Sequence, residues 1–201
     1  MHSILLKNKG EYAMAIKVYI DQGHNPSPPN TGAEGNGYRE QDITYEVGQR
    51  LAALLRNDGR FDVRLSRPTS GTQLGASNAG SLRARVDDAN SWGADYFISI
   101  HTNASVSKDA AGTEVLVYSS PSRSASLAED VLREVTEITG FDSRGVKLRP
   151  GLYVLRKTAM PAILVELGFI SNPYEASFMA NNPSLFAQGI YQGLLDYLSL
   201  S

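Results

Sequence analysis

A chain of 201 residues with 42% hydrophobic side chains is long enough for one substantial core and short for two, so one domain is expected. Its 19 basic and 21 acidic residues are interspersed and leave a net charge of −2, which argues against a phosphate-tracking surface and against nucleic acid as a partner. The absence of cysteine excludes a disulfide framework and thiolate metal sites, so any metal here rests on histidine and carboxylate ligands.

The chain opens on a stretch to be set aside. Met1 to Ala13 precede a second methionine, Met14, and lack the long apolar core and small-residue cleavage site of a signal peptide. Residues 1–14 are read as a leader, an expression remnant or a mis-set start, and the fold is sought in residues 15–201. No apolar run approaches the roughly 20 residues that span a bilayer.

Ile16, Val18 and Ile20 alternate with Lys17 and Tyr19 as a strand that stops at Asp21-Gln22-Gly23-His24. Pro26, Pro28 and Pro29 deny helix and central strand to residues 25–37, a surface loop. Ile43, Val47, Leu51, Leu54 and Leu55 then recur at helical spacing, and Asn57-Asp58-Gly59 supplies stop chemistry, predicting an amphipathic helix of about four turns. A short strand over residues 61–66, a Gly/Ser/Thr loop over 68–80 and a helix carrying Leu82, Val86 and Ala89 follow.

Asp95 to Ile100 reads as a buried strand ending at His101, and Thr113 to Tyr118 as another. A helix with Leu127, Ala128, Val131, Leu132, Val135 and Ile138 comes next. Leu152 to Leu155 and Ala162 to Val165 are read as two more short strands, the second ending at Glu166-Leu167-Gly168. Asn172-Pro173 and Asn182-Pro183 each place an N-cap residue before a first-turn proline, predicting a short helix and a longer C-terminal one. About six strands interleaved with helices point to one α/β domain, a twisted, mostly parallel sheet with helices on both faces.

In open α/β sheets the ligand crevice lies beyond the carboxyl ends of the strands, where His24, His101 and Glu166 fall. Glu40 joins them because it lies three residues before Ile43 and seven before Val47, continuing a buried helix stripe with a charge that needs a partner. Two imidazoles and a carboxylate make three protein ligands that leave a fourth position on zinc for water. A remaining carboxylate would serve as general base and then acid, a role that suits Glu166, since partial burial raises its pKa.

Plain alternatives stand beside each assignment. A strand-end histidine can be a hydrogen-bonded structural residue, Glu40 can face water at a helix N-terminus, and Glu166 can pair with Arg156 or Lys157. Asp21 is read as a turn or capping residue ahead of a role in orienting His24. A serine hydrolase is disfavoured: Ser99 faces away from Ile98 and Ile100 in poor geometry for a pair with His101, and no G-x-S-x-G elbow is present.

Four blocks stand in order: Val18-Tyr19-Ile20-Asp21-Gln22-Gly23-His24, Gly35-Asn36-Gly37-Tyr38-Arg39-Glu40, Phe97-Ile98-Ser99-Ile100-His101-Thr102-Asn103, and Pro161-Ala162-Ile163-Leu164-Val165-Glu166-Leu167-Gly168 continuing to Pro173. In these blocks the chain resembles the zinc-dependent N-acetylmuramoyl-L-alanine amidases of amidase type 3, from about Ala15 to the C-terminus. It departs from that pattern at Asn25-Pro26-Ser27-Pro28-Pro29, where a Gly-Gly pair is usual, and at Thr102, where a small apolar residue is common.

The resemblance implies zinc on His24, Glu40 and His101, with Glu166 as the catalytic carboxylate. It also implies a catalytic domain over residues 15–201 that hydrolyses the amide between N-acetylmuramic acid and L-alanine in peptidoglycan. A monomer acting on the cell wall, outside the cell or released by lysis, is the corresponding expectation. The rival expectations are a zinc peptidase acting on another wall peptide and a wall-binding module without catalysis.

Overall fold

The computed structural model describes residues 14–201, so the expected leader lies outside the described residues except for Met14. The first strand, β1 (Ile16–Gln22), has Val18, Tyr19, Ile20 and Asp21 all buried, because it runs inside the sheet and is covered on both faces. A two-residue hairpin, β2 (Glu34–Gly35) with β3 (Tyr38–Arg39), interrupts the proline-rich loop and leads into α1 (Glu40–Asp58). Helix α1 buries Ile43, Val47, Leu51 and Leu55 and ends where Gly59 takes a left-handed φ of 78°.

The chain continues through β4 (Phe61–Leu65), α2 (Asn78–Trp92), β5 (Tyr96–Asn103), β6 (Thr113–Val117), α3 (Arg123–Thr139) and β7 (Ser143–Leu148). It closes with α4 (Tyr153–Lys157), β8 (Ala162–Phe169), α5 (Pro173–Asn181) and α6 (Pro183–Tyr197). The sheet order is β4-β1-β5-β8-β6-β7. All neighbours are parallel except β6 and β8, which run antiparallel. This is the expected single α/β domain with a six-stranded, mostly parallel sheet.

Two cores result. Val18, Ile20, Ile98, Ile100, Ile163 and Val165 meet α1, α3 and α6 on one face. On the other face Tyr19, Phe97, Leu116 and Leu164 meet Val86 and Ala89 of α2 with Val154 and Leu155 of α4. Helices α3 and α6 approach closely because Gly189 and Gly193 carry no side chain. A Cβ at Gly193 would stand 2.4 Å from the Val131 Cα, and one at Gly189 would stand 2.6 Å from the Val135 Cα. Among the described residues no helix is long and apolar enough to cross a membrane.

The structure corrects one strand. Residues 152–155 are not a strand: Tyr153–Lys157 form α4, whose Val154 and Leu155 plug the second core. A four-residue apolar run fits a buried helical turn as well as a strand, and periodicity cannot separate them. The sixth strand is β7, whose Ser143-Arg144-Gly145-Val146-Lys147-Leu148 is half-exposed at the sheet edge and carries little apolar signal. The two Asn-Pro starts hold: the Asn172 side chain accepts from the backbone N–H of Tyr174 at 3.0 Å and of Glu175 at 3.2 Å, and α6 begins at Pro183.

Candidate metal centre

Strands β1, β5 and β8 run parallel, so their carboxyl ends converge on one edge of the sheet. His24 follows the end of β1 in a left-handed conformation, φ 68°, which a non-glycine residue adopts only under constraint. The constraint is Arg85 of α2, fully buried, whose Nη2 donates to the His24 carbonyl at 2.6 Å. Arg85 Nη1 donates to Asp21 Oδ1 at 2.5 Å and to the Gln22 carbonyl at 2.6 Å, so one guanidinium sets the backbone from Asp21 to His24.

Asp21 is thus neither a turn residue nor an imidazole orienter. Its second oxygen accepts from Ser99 Oγ at 2.8 Å. Burial alone would raise the Asp21 carboxyl, but the charge and hydrogen bond of Arg85 overcome this and hold it below the usual carboxylate range. Ser99 shares a strand face with His101, and what removes it from nucleophilic chemistry is complete burial together with its bond to Asp21.

Glu40 is the first residue of α1 and is 3% exposed. Its Oε1 lies 3.1 Å from His101 Nδ1 and accepts from the Thr102 N–H at 2.9 Å. Its Oε2 lies 3.2 Å from His24 Nε2 and accepts from the Ala33 N–H at 2.8 Å. Burial would raise this carboxyl, yet the hydrogen bonds and charges of His101 and His24 outweigh it and keep Glu40 ionised far below the ordinary glutamate value. A helix N-terminus favours the same charge. The open alternative of a solvent-facing Glu40 is therefore excluded.

His24, Glu40 and His101 each offer one ligand atom, all within 4.8 Å of one another. The two rings meet edge to face with centroids 4.8 Å apart. Two imidazoles and a carboxylate suit a zinc-like divalent cation better than magnesium or calcium, which prefer all-oxygen shells. Two further features fit an ion. His24 Nδ1 is buried without a hydrogen-bond partner. Gly23 and Gly32 also form a close cradle: a Cβ at Gly23 would stand 2.6 Å from His101 Cε1, and one at Gly32 would stand 2.7 Å from Glu40 Oε2.

Glu166 on β8 pairs in register with His101 on β5 and with Glu114 on β6, and it lines the same cavity as His24 and His101. It makes no ion pair with Arg156 or Lys157, and its Oε2 is buried with no partner. Burial, reinforced by the nearby charges of Glu40 and Glu114, pushes its carboxyl up to about 8. Three of the four expected residues, His24, His101 and Glu166, therefore line one cavity, and Glu40 contacts both histidines.

Arg85 was not singled out from sequence, although a signal existed. It lies three residues after Leu82 and four before Ala89, a charge on the apolar stripe of α2 as Glu40 is on that of α1.

Comparisons with known proteins agree with this geometry. Residues 18–196 match the protein family described as N-acetylmuramoyl-L-alanine amidase. The N-acetylmuramoyl-L-alanine amidase CwlM of Bacillus licheniformis is 37% identical over 180 residues, 89% of this chain and 65% of that protein. The sporulation-specific N-acetylmuramoyl-L-alanine amidase of Bacillus subtilis is 34% identical over 179 residues, again 89% and 65%. This chain thus spans just under two thirds of the length of these relatives. The crystal structure of an N-acetylmuramoyl-L-alanine amidase from Clostridium difficile 630 superimposes with a TM-score of 0.83 at 31% identity, covering 92% of this chain and 97% of that one. A family match that covers most of the described domain, joined to the same fold and a His-Glu-His cluster at its strand ends, places this chain in the N-acetylmuramoyl-L-alanine amidase family.

Proposed function

We propose that the protein is a zinc-dependent hydrolase that cuts the amide between N-acetylmuramic acid and L-alanine in peptidoglycan, acting on the cell wall. The observation that carries this reading is the convergence of His24, Glu40 and His101 within 4.8 Å beside the unpartnered carboxyl of Glu166. Family membership supports the substrate class.

His24, Glu40 and His101 would hold the zinc, which would supply Lewis-acid polarisation of the scissile carbonyl and a lowered pKa for the attacking water. The rest falls to the chain itself. Glu166 takes a proton from the attacking water and returns it to the alanine nitrogen as the amide breaks, so one carboxyl is base and then acid. Burial raises this carboxyl in the metal-free chain, and a divalent cation beside it would draw it back down toward the neutral range that suits a group acting as base and then as acid. Arg85 and the Gly23/Gly32 cradle hold His24, His101 and Glu40 in place before substrate arrives.

The test is digestion of purified peptidoglycan with chelated and zinc-restored protein, reading products by mass spectrometry. Zinc-dependent release of peptides that begin with L-alanine is expected. Cleavage within the peptide, with the lactyl amide intact, replaces the amidase by a peptidase. Glu166→Gln should still bind zinc while losing at least 100-fold in turnover, on the scale of a general acid-base group; retained turnover removes Glu166 from the chemistry.

A further inference from the structure

The cavity beside Glu166 does not end at the ligand cluster. It has a volume of about 530 Å³ and extends across β6 to the edge strand β7, where its lining becomes cationic with Arg144, Lys147 and Arg149. Strand register explains the layout. Glu166 lies opposite Glu114, and two residues further along β6 Leu116 lies opposite Lys147. Arg149 comes two residues after Lys147, with its N–H still on the ladder to the Val117 carbonyl at 2.8 Å. Alternation places these side chains on one face of the sheet.

Two of the three cations are occupied within the fold. Glu114, almost fully buried, accepts from Arg144 Nε at 3.0 Å and forms a very short ion pair with Lys147. Arg149 is exposed and has no carboxylate partner among the described residues, its guanidinium reaching only the adjacent Leu148 carbonyl at 3.0 Å. Three cations against one carboxylate leave this end of the groove positive. The pairing of Glu114 accounts for Arg144 and Lys147 but gives Arg149 no internal task.

We propose that Arg149 is a subsite for a carboxylate on the peptide side of the scissile bond. The inference rests on the amidase reading above. In that substrate the lactyl carboxyl is consumed in the amide being cut, so free carboxylates belong to the peptide. Two strand spacings and about four residues of rise put the Arg149 backbone about 16 Å from that of Glu166, the reach of roughly three to five extended peptide residues. A guanidinium is suited to binding a carboxylate in bidentate fashion.

The experiment compares two soluble muramoyl-peptides that differ only in one group three to five residues beyond the cut, a free carboxylate in one and its carboxamide in the other. Wild type should favour the carboxylate about tenfold in kcat/KM, mainly through KM, with a preference that shrinks as salt is raised. Arg149→Ala should bring the ratio close to one, Arg149→Lys should keep most of it, and Arg149→Glu should invert it. A wild type that does not discriminate at any of these positions, or an Arg149→Ala protein that keeps the preference, overturns the subsite. Failure of the amidase reading looks different, since wild type would then turn over neither compound. Calorimetric binding of the free stem peptides, carboxylate against carboxamide, to zinc-loaded wild type and Arg149→Ala then reads the same ratio without catalysis, and equal binding overturns the subsite too.

Discussion

Three carboxyl side chains of this protein, Glu40, Asp21 and Glu166, sit where hydration is lost, and each is held differently. Glu40 has four partners in His101, Thr102, His24 and Ala33, and Asp21 has Arg85 and Ser99, so both carboxylates remain charged although buried. Glu166 has no such compensation at Oε2. With its carboxyl pushed up to about 8 from an ordinary value of 4.5, the folded chain holds a proton that the unfolded chain releases. A raised acid of this kind costs stability progressively as pH climbs from the unfolded value to the folded one. In chelator-treated protein, Glu166→Gln should therefore melt above wild type, with a gap that widens between pH 5 and 8 by at most about 1.4 kcal/mol per pH unit, to a total on the order of a few kcal/mol. Calorimetry across that range checks it. A gap that narrows with pH would mean that the Glu166 carboxylate has a stabilising partner.

Among the elements, the contact of α3 with α6 closes the core behind the strands that carry the site. It depends on bare backbone at Gly193, where an added Cβ would meet the Val131 Cα at 2.4 Å and the Asp130 carbonyl oxygen at 2.8 Å. Backbone cannot rotate away, so the helices would have to separate. Gly193→Ala should destabilise by about 2 kcal/mol, overpacking outweighing the gain in helix propensity of about 1 kcal/mol. For a domain of this size that is a fall in Tm of roughly 4–8 °C by differential scanning calorimetry. An unchanged or raised Tm would show that α6 can move off α3 without loss. The short α4 is also informative: its Val154 and Leu155 seal the second core beside the cavity, a task that an edge strand at that position would not perform.

At the scale of the whole molecule, the three candidate metal ligands come from three elements: His24 after β1, Glu40 at the start of α1 and His101 on β5. An ion that links them binds the folded chain and not the unfolded one. Zinc at 100 times its Kd should therefore stabilise chelated protein by about 2.7 kcal/mol, a rise of roughly 5–10 °C, and His101→Ala should lose most of that rise. A Tm indifferent to zinc would dismiss the site. Much of this was legible beforehand, because strand and helix periodicities, proline and glycine stops and strand-end polar residues are local properties that the order of side chains encodes. Five of the six sheet strands could be picked out in this way, as could His24, Glu40, His101 and Glu166, as charged or ligating groups on otherwise apolar stripes or at strand ends. Other features were decided only when distant segments met. The Leu152–Leu155 run became a helix because it had a core to fill, and Ser143–Leu148 became a strand because β6 offered an unpaired edge. Arg85 reaches Asp21 from 64 residues away, and Arg149 comes to line the same cavity as Glu166 only through strand pairing across β6. Burial, pairing and charge balance depend on which surfaces exclude water together, and chain order alone does not specify that.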